Sequence, residues 1–154
     1  LLRHKLCVSE VKELTNGQFE EFLPDPTPAK NTQNLILCSG KVYYDLLEAR
    51  EGRRNSKSTI IRVEQFYPFN MEKFKEVIEP YAKVKRVVWC QEEPLNMGAW
   101  SFLCPILEEA LGRRPHYAGR TPTASPATGS LTLHKIEQAE LVADALNQTQ
   151  ITRS

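Results

Sequence analysis

The stretch from Trp89 to Trp100 reads WCQEEPLNMGAW, with an amide and two carboxylates (Gln91, Glu92 and Glu93) set directly after a hydrophobic run. Paired carboxylates can act as general acid and base, or help to hold a cation. On an extended backbone, however, adjacent side chains point to opposite faces. Glu92 and Glu93 are therefore not expected to converge on one substrate bond, as a glycosidase-type pair must. Ser39-Gly40-Lys41 is a second candidate. At a strand-to-helix turn, backbone N–H groups and a lysine can hold an anion. The frame of a phosphate loop is missing there, and no GxGxxG fingerprint occurs. His4, His116 and His134 stand far apart and share no motif. The four cysteines (Cys7, Cys38, Cys90 and Cys104) form no CxxC pair and have no histidine at zinc spacing. They are expected to be reduced, structural thiols. The expectation is that this chain supplies no catalytic residue, no metal ligand and no cofactor site of its own.

The elements that position these residues follow from hydrophobic period and punctuation. Residues 1–33 are poorly periodic and read as an irregular arm, with at most one short helix in SEVKELTNGQFEEFL. The arm ends in a proline-rich crossing, where Pro24, Pro26 and Pro28 fix φ and remove donors. From residue 34 the pattern becomes regular. NLILC is a short buried strand closed by Ser-Gly, and KVYYDLLEARE has helical spacing. STIIRVEQ is β-branched and reads as a strand. In NMEKFKEVIEPYA, Met71, Phe74, Val77 and Ile78 share one helical face, with Asn70 as N-cap. VKRVVWCQ is a third strand and HYAGR a short fourth. Between them lies an apolar helix closed by Gly112 and interrupted by Pro105. A loop of small residues, TPTASPATGS, precedes a last helix that carries Leu133, Ile136, Leu141 and Leu146. Residues 34–148 thus read as one domain and 149–154 as a tail.

Alternating strands and helices predict an α/β fold of three layers, a mostly parallel sheet flanked by helices. Parallel strands gather the segments that follow them on one sheet edge. That edge should collect Ser39, Lys41 and Tyr43, then Glu64 and Gln65, then Gln91, Glu92 and Glu93, and finally Tyr117 and Arg120. The edge is open to two readings: a small-molecule site, or an ion-pair network that fixes loops or a subunit contact, since buried charges need partners. Trp89 and Trp100 flank the acidic stretch and are read as core or interface anchors.

Composition narrows the classes. The chain has 154 residues, a formal net charge of +1, 41% hydrophobic and 25% charged residues. That is ordinary for one globular domain. Nucleic acid is not an expected partner, because no basic excess is present. A membrane is not expected either, because the apolar runs are too short. LLRHKLCVSE lacks the leader pattern of a signal peptide and reads as a cut through a longer chain.

Several stretches carry a further inference: LLRHKLCVS, CSGKVYYDLL, RVEQFYPF, VVWCQEEPLNMGAW, HYAGR, and SPATGS followed by His134. In order and spacing they resemble the C-terminal region of the thiamine-diphosphate-dependent 2-oxoglutarate dehydrogenase component, from Leu1 to about Leu146. The resemblance implies a C-terminal domain of transketolase type, with one edge strand antiparallel; Arg120 is the residue expected to leave the cluster for that reason. It implies that thiamine diphosphate and magnesium are bound upstream, across a dimer interface, where the catalytic histidines also lie. It implies a homodimer and a place beside the dihydrolipoamide succinyltransferase of a multienzyme complex of the citric acid cycle. The compartment implied is the bacterial cytoplasm, or the mitochondrial matrix in a eukaryote. The chain's role would be structural and dimerising, and the isolated chain inactive. The other role weighed is a regulatory module sensing a nucleotide or acetyl-CoA, with Gln65 and Lys73 as candidates. On this reading Gln91-Glu92-Glu93-Pro94 forms the corner after a central strand, with its carboxylates met by helix N–H groups, Lys41, Tyr43 or Arg120. An exposed apolar patch is expected near Trp100, Tyr117 and residues 121–130.

Overall fold

A computed structural model describes residues 5–53 and 56–146. Its sheet has five strands: β1 (Phe22–Leu23), β2 (Asn34–Cys38), β3 (Ser58–Val63), β4 (Arg86–Pro94) and β5 (His116–Arg120). Their order in space is β1-β3-β2-β4-β5. Strands β2 to β5 are mutually parallel, and only β1 runs antiparallel, along β3. The fold is therefore the expected three-layer α/β type with one antiparallel edge strand. That strand lies in the N-terminal arm; β5 is parallel to β4, so Arg120 stays at the carboxyl edge with the other candidates.

Among the described residues the α-helices are α1 (Val11–Thr15), α2 (Val42–Glu51), α3 (Met71–Ile78), α4 (Trp100–Leu111) and α5 (Leu131–Ala145). Helices α2 and α5 cover one sheet face, where Val42, Leu46, Leu141 and Val142 pack on Ile36, Ile60, Val88 and Cys90. Helices α3 and α4 cover the other, where Phe74, Leu103 and Leu107 meet Leu35, Leu37, Ile61 and Trp89. Burying β2 entirely explains why its residues from Leu35 to Cys38 are apolar throughout rather than alternating. Asn70 caps α3 by accepting the Lys73 N–H at 3.1 Å, as its position in sequence predicts. Gly112 ends α4 with φ +66°, a left-handed conformation that favours glycine. Pro105 lies within α4, which continues past it.

One expectation requires correction. Strand β4 does not stop before the acidic stretch: it runs through Gln91, Glu92 and Glu93 to Pro94, with a register irregularity between Cys90 and Pro94. A proline is tolerated at such a break because the ladder there is already disrupted. The corner is instead made by residues 95–99. The apolar residues of α5 also divide: Leu141, Val142, Ala145 and Leu146 are buried, whereas Leu131, Leu133 and Ile136 are exposed.

The proline-rich crossing is tied down by one buried carboxylate. Asp25 pairs with both terminal nitrogens of Arg50 and accepts the Ile60 N–H at 2.8 Å and the Thr27 N–H at 2.9 Å. Arg50 also donates to Thr27 Oγ1 at 3.1 Å. At the amino ends of β2 and β4, Arg86 donates to the carbonyls of Asp144 and Ala145, both at 3.0 Å, and Asn34 donates to Ala145 at 2.8 Å. These bonds satisfy the last carbonyls of α5.

Candidate functional site at the carboxyl edge

The chain passes from β2 to β3 on one side and then to β4 on the other side of β2, so the topology switches between β2 and β4. In open α/β sheets the crevice outside the carboxyl ends at such a point is where ligands settle. Here it is a groove of about 430 Å³, whose lining includes Ser39, Lys41, Phe66, Glu92, Glu93 and Phe102. A second groove of about 510 Å³ adjoins it, shares Glu92 and Glu93, and continues past Arg120 to Leu131 and His134. A groove of about 420 Å³ at the amino edge, between α3 and α4, includes none of the candidate residues.

Gln91 is the centre of the corner. It is 4% exposed, and its Oε1 accepts the Trp89 indole N–H at 2.9 Å and the Trp100 backbone N–H at 3.1 Å. Its Nε2 faces the carbonyls of Met97 at 2.8 Å and of Glu93 and Pro94 at 3.2 Å. Gln91 thus serves as a remote cap for the first turn of α4, which has no side-chain cap of its own. Gly98 sits against this amide with φ +68°, and a Cβ there would lie 2.8 Å from Nε2. Only glycine fits that close approach.

The structure brings some of the remaining candidates together and separates others. Lys41 Nζ lies 3.0 Å from Glu92 and 3.0 Å from Asp45. Burial pulls the Lys41 pKa down, but the two carboxylates outweigh it and the net shift is upward. Ser39 lines the same groove. Glu93 is exposed and lines both grooves beside Glu92, and its carboxylate has no hydrogen bond or ion pair with a described residue. Tyr43 does not reach Glu92; it is buried on α2 beneath the Arg62 guanidinium, 4.5 Å from its ring centre, and burial raises its pKa. Glu64 turns toward Arg62, 3.8 Å away. Arg120 Nε lies 2.9 Å from Glu137, and its terminal nitrogen donates to the Pro126 carbonyl at 3.2 Å. The Tyr117 hydroxyl lies 2.9 Å from the Glu93 carbonyl and 3.1 Å from that of Arg120, and burial pushes its pKa up to about 12.

Trp100 is 7% exposed and packs on Tyr117 with ring centres 5.2 Å apart. Trp100 itself is thus buried, and the exposed apolar residues adjoining the expected positions in sequence are Phe102 (45% exposed) and Leu131 (71% exposed). Sequence reasoning missed Phe102 because its i+3 and i+4 neighbours on α4 are apolar, which suggested a core position; the helix turns it outward instead. Asp25 was missed too, although Arg50 on the apolar face of α2 signalled a buried partner.

Gln65 and Lys73, the regulatory candidates, share Glu21 as a partner, at 3.4 Å and 3.8 Å. Gln65 donates to the Pro68 carbonyl at 2.9 Å, and Lys73 pairs with Glu20 at 3.2 Å and Glu21 at 3.8 Å. Among the described residues no group of three or more His, Cys, Asp or Glu is placed to hold a metal ion. No described helix is long and apolar enough to cross a membrane.

The profile of the family described as 2-oxoglutarate dehydrogenase C-terminal matches residues 8–146. The chain belongs to this family. Among similar proteins, the 2-oxoglutarate dehydrogenase E1 component of Haemophilus influenzae is 48% identical over 151 residues, spanning 96% of this chain and 16% of that protein. That of Azotobacter vinelandii is 42% identical over 152 residues, again 16% of its length. The chain thus spans about a sixth of the relatives it matches. A solved structure described as a split-gene transketolase in an inactive β4 tetramer overlays with a TM-score of 0.55 at 18% identity, covering 88% of this chain and 44% of that one. At that identity the likeness concerns the fold alone.

Proposed function

We propose that this chain is the C-terminal domain of a 2-oxoglutarate dehydrogenase, where it packs and dimerises the enzyme rather than performing its chemistry. The whole enzyme would decarboxylate 2-oxoglutarate oxidatively and pass the succinyl group to a lipoyl-bearing succinyltransferase. Gln91 carries the structural half of this reading. Its amide is the most central polar group of the carboxyl edge, and its hydrogen bonds are all spent inside the fold. A group engaged in this way is not available to a substrate. The similarity over 96% of this chain to a relative six times its length supports the other half.

Thiamine diphosphate, the cofactor the resemblance implies, requires a magnesium ion with convergent oxygen ligands. The described residues do not fit that requirement, because no group of three or more His, Cys, Asp or Glu among them is placed to hold a metal ion and Glu92 is committed to Lys41. The regulatory reading has less support: Lys73 is held by two glutamates, which would repel a phosphate-bearing ligand. The test is thiamine-diphosphate-dependent decarboxylation of 2-oxoglutarate, assayed for this chain alone and for the full-length protein. Activity confined to the full-length protein is expected. Turnover by the chain alone would overturn the proposal.

A further inference from the structure

The carboxyl-edge groove has a specific charge balance. Lys41 is neutralised within the fold by Glu92 and Asp45, and Arg120 by Glu137. Two cations therefore face four carboxylates once Glu93 is included, an excess of two negative charges, and Glu93 is the carboxylate of the four with no ion pair among the described residues. Beside these charged groups the lining includes Phe66 and the exposed ring of Phe102 in one groove, and Leu131 and His134 in the other. Trp89 and Phe66 pack edge to face at 6.0 Å, so the ring wall is held in place from below. A rigid aromatic wall beside one unpaired carboxylate at a topological switch point suits a guanidinium or ammonium group carried on an apolar stem. It does not suit an anion, which Glu92 and Glu93 would repel.

We propose that this groove receives an arginine or lysine side chain from the part of the polypeptide that the relatives carry beyond this chain's span. The cation pairs with Glu93 and its stem lies along Phe102, while neighbouring apolar side chains of the same segment cover Leu131. The inference rests on the packing role proposed above and adds the chemistry of the contact. It explains why the exposed apolar residues of this edge flank Glu93 instead of forming one continuous patch. It also accounts for Glu93 being exposed while Glu92 is bound to Lys41.

The test uses the full-length enzyme in a background where the exposed Cys7 is replaced by serine. Phe102→Cys reports on the groove, and Glu109→Cys, an exposed position on the same helix, reports on free solvent. Ser39→Cys, a small substitution in the groove lining, repeats the measurement should Phe102→Cys fold poorly. Thiol labelling at the groove is expected to be at least roughly tenfold slower than at Glu109→Cys, as for a site that opens only by local separation. Adding Glu93→Arg is expected to abolish most of that protection, and raising salt to weaken it. Labelling as fast as at Glu109→Cys would show an open groove and overturn the proposal. Protection that survives Glu93→Arg would mean a cover without a cation, which also overturns it while leaving the packing role intact. Decarboxylation by this chain alone would remove the packing role itself, so the two failures are distinguishable.

Discussion

Replacing Gln91 by alanine would strand the Trp89 indole N–H, the Trp100 N–H and the Met97 carbonyl in a buried site. Each such orphan costs roughly 1–3 kcal/mol. We expect Gln91→Ala to destabilise the domain by about 3 kcal/mol, measured by denaturant unfolding. Glu92→Gln should cost less than about 1 kcal/mol, because its pair with Lys41 is half exposed to water. A larger loss for Glu92→Gln than for Gln91→Ala would contradict the structural account of the corner. Gly98→Ala, with φ positive and the Gln91 amide in the way, should cost about 1–3 kcal/mol. Tyr117 gives a pH signature. Its folded pKa, about 12, lies above the unfolded value near 10, so the folded state holds the proton more tightly. Its contribution is complete below pH 10 and declines as pH rises toward 12. Tyr43 and Lys41 shift in the same direction, so Tyr117→Phe should flatten this alkaline loss in part, not abolish it.

At the scale of elements, the end of α5 depends on a residue outside the helix. Arg86→Ala removes donors from the Asp144 and Ala145 carbonyls and should cost about 1–2 kcal/mol, with faster amide exchange concentrated in the last turns of α5. The contrast between β2 and β1 shows which elements can be read from sequence. NLILC, STIIRV and HYAGR are legible because period, β-branching and bounding turns are local signals. The Phe22–Leu23 strand is illegible because it is two residues long and exists only through its pairing with Arg62 and Val63, some forty positions away. The candidate site divides in the same way. That Lys41 and Glu92 would meet follows from parallel strands, as does the persistence of Arg120 at the edge. That Gln91 would turn inward, Tyr43 slide under Arg62, and Phe102 rather than Trp100 face outward depends on side-chain direction within a strand bulge and a helix turn. Spacing alone does not specify those directions.

For the whole molecule, the pair between Asp25 and Arg50 binds the N-terminal arm to the α/β layers. Asp25→Ala would leave a buried guanidinium without its counter-charge, a loss of about 3–5 kcal/mol. Asp25→Ala combined with Arg50→Met should cost less than the two single changes added together, which a double-mutant cycle would measure. The arm's short antiparallel strand has a consequence for solubility. Hydrophobic pattern recommends Asn34 as the place where the regular fold starts. A protein begun there would lose β1, and the outer row of N–H and C=O groups of β3, with Ile61 and Val63 at its face, would lie open to any other chain. Such an unpaired edge is a template for sheet growth between molecules. Light scattering should therefore detect aggregates in a chain starting at Asn34 under conditions where one that retains Phe22 to Pro28 stays dispersed. A segment with almost no regular structure of its own thus guards the fold against self-association.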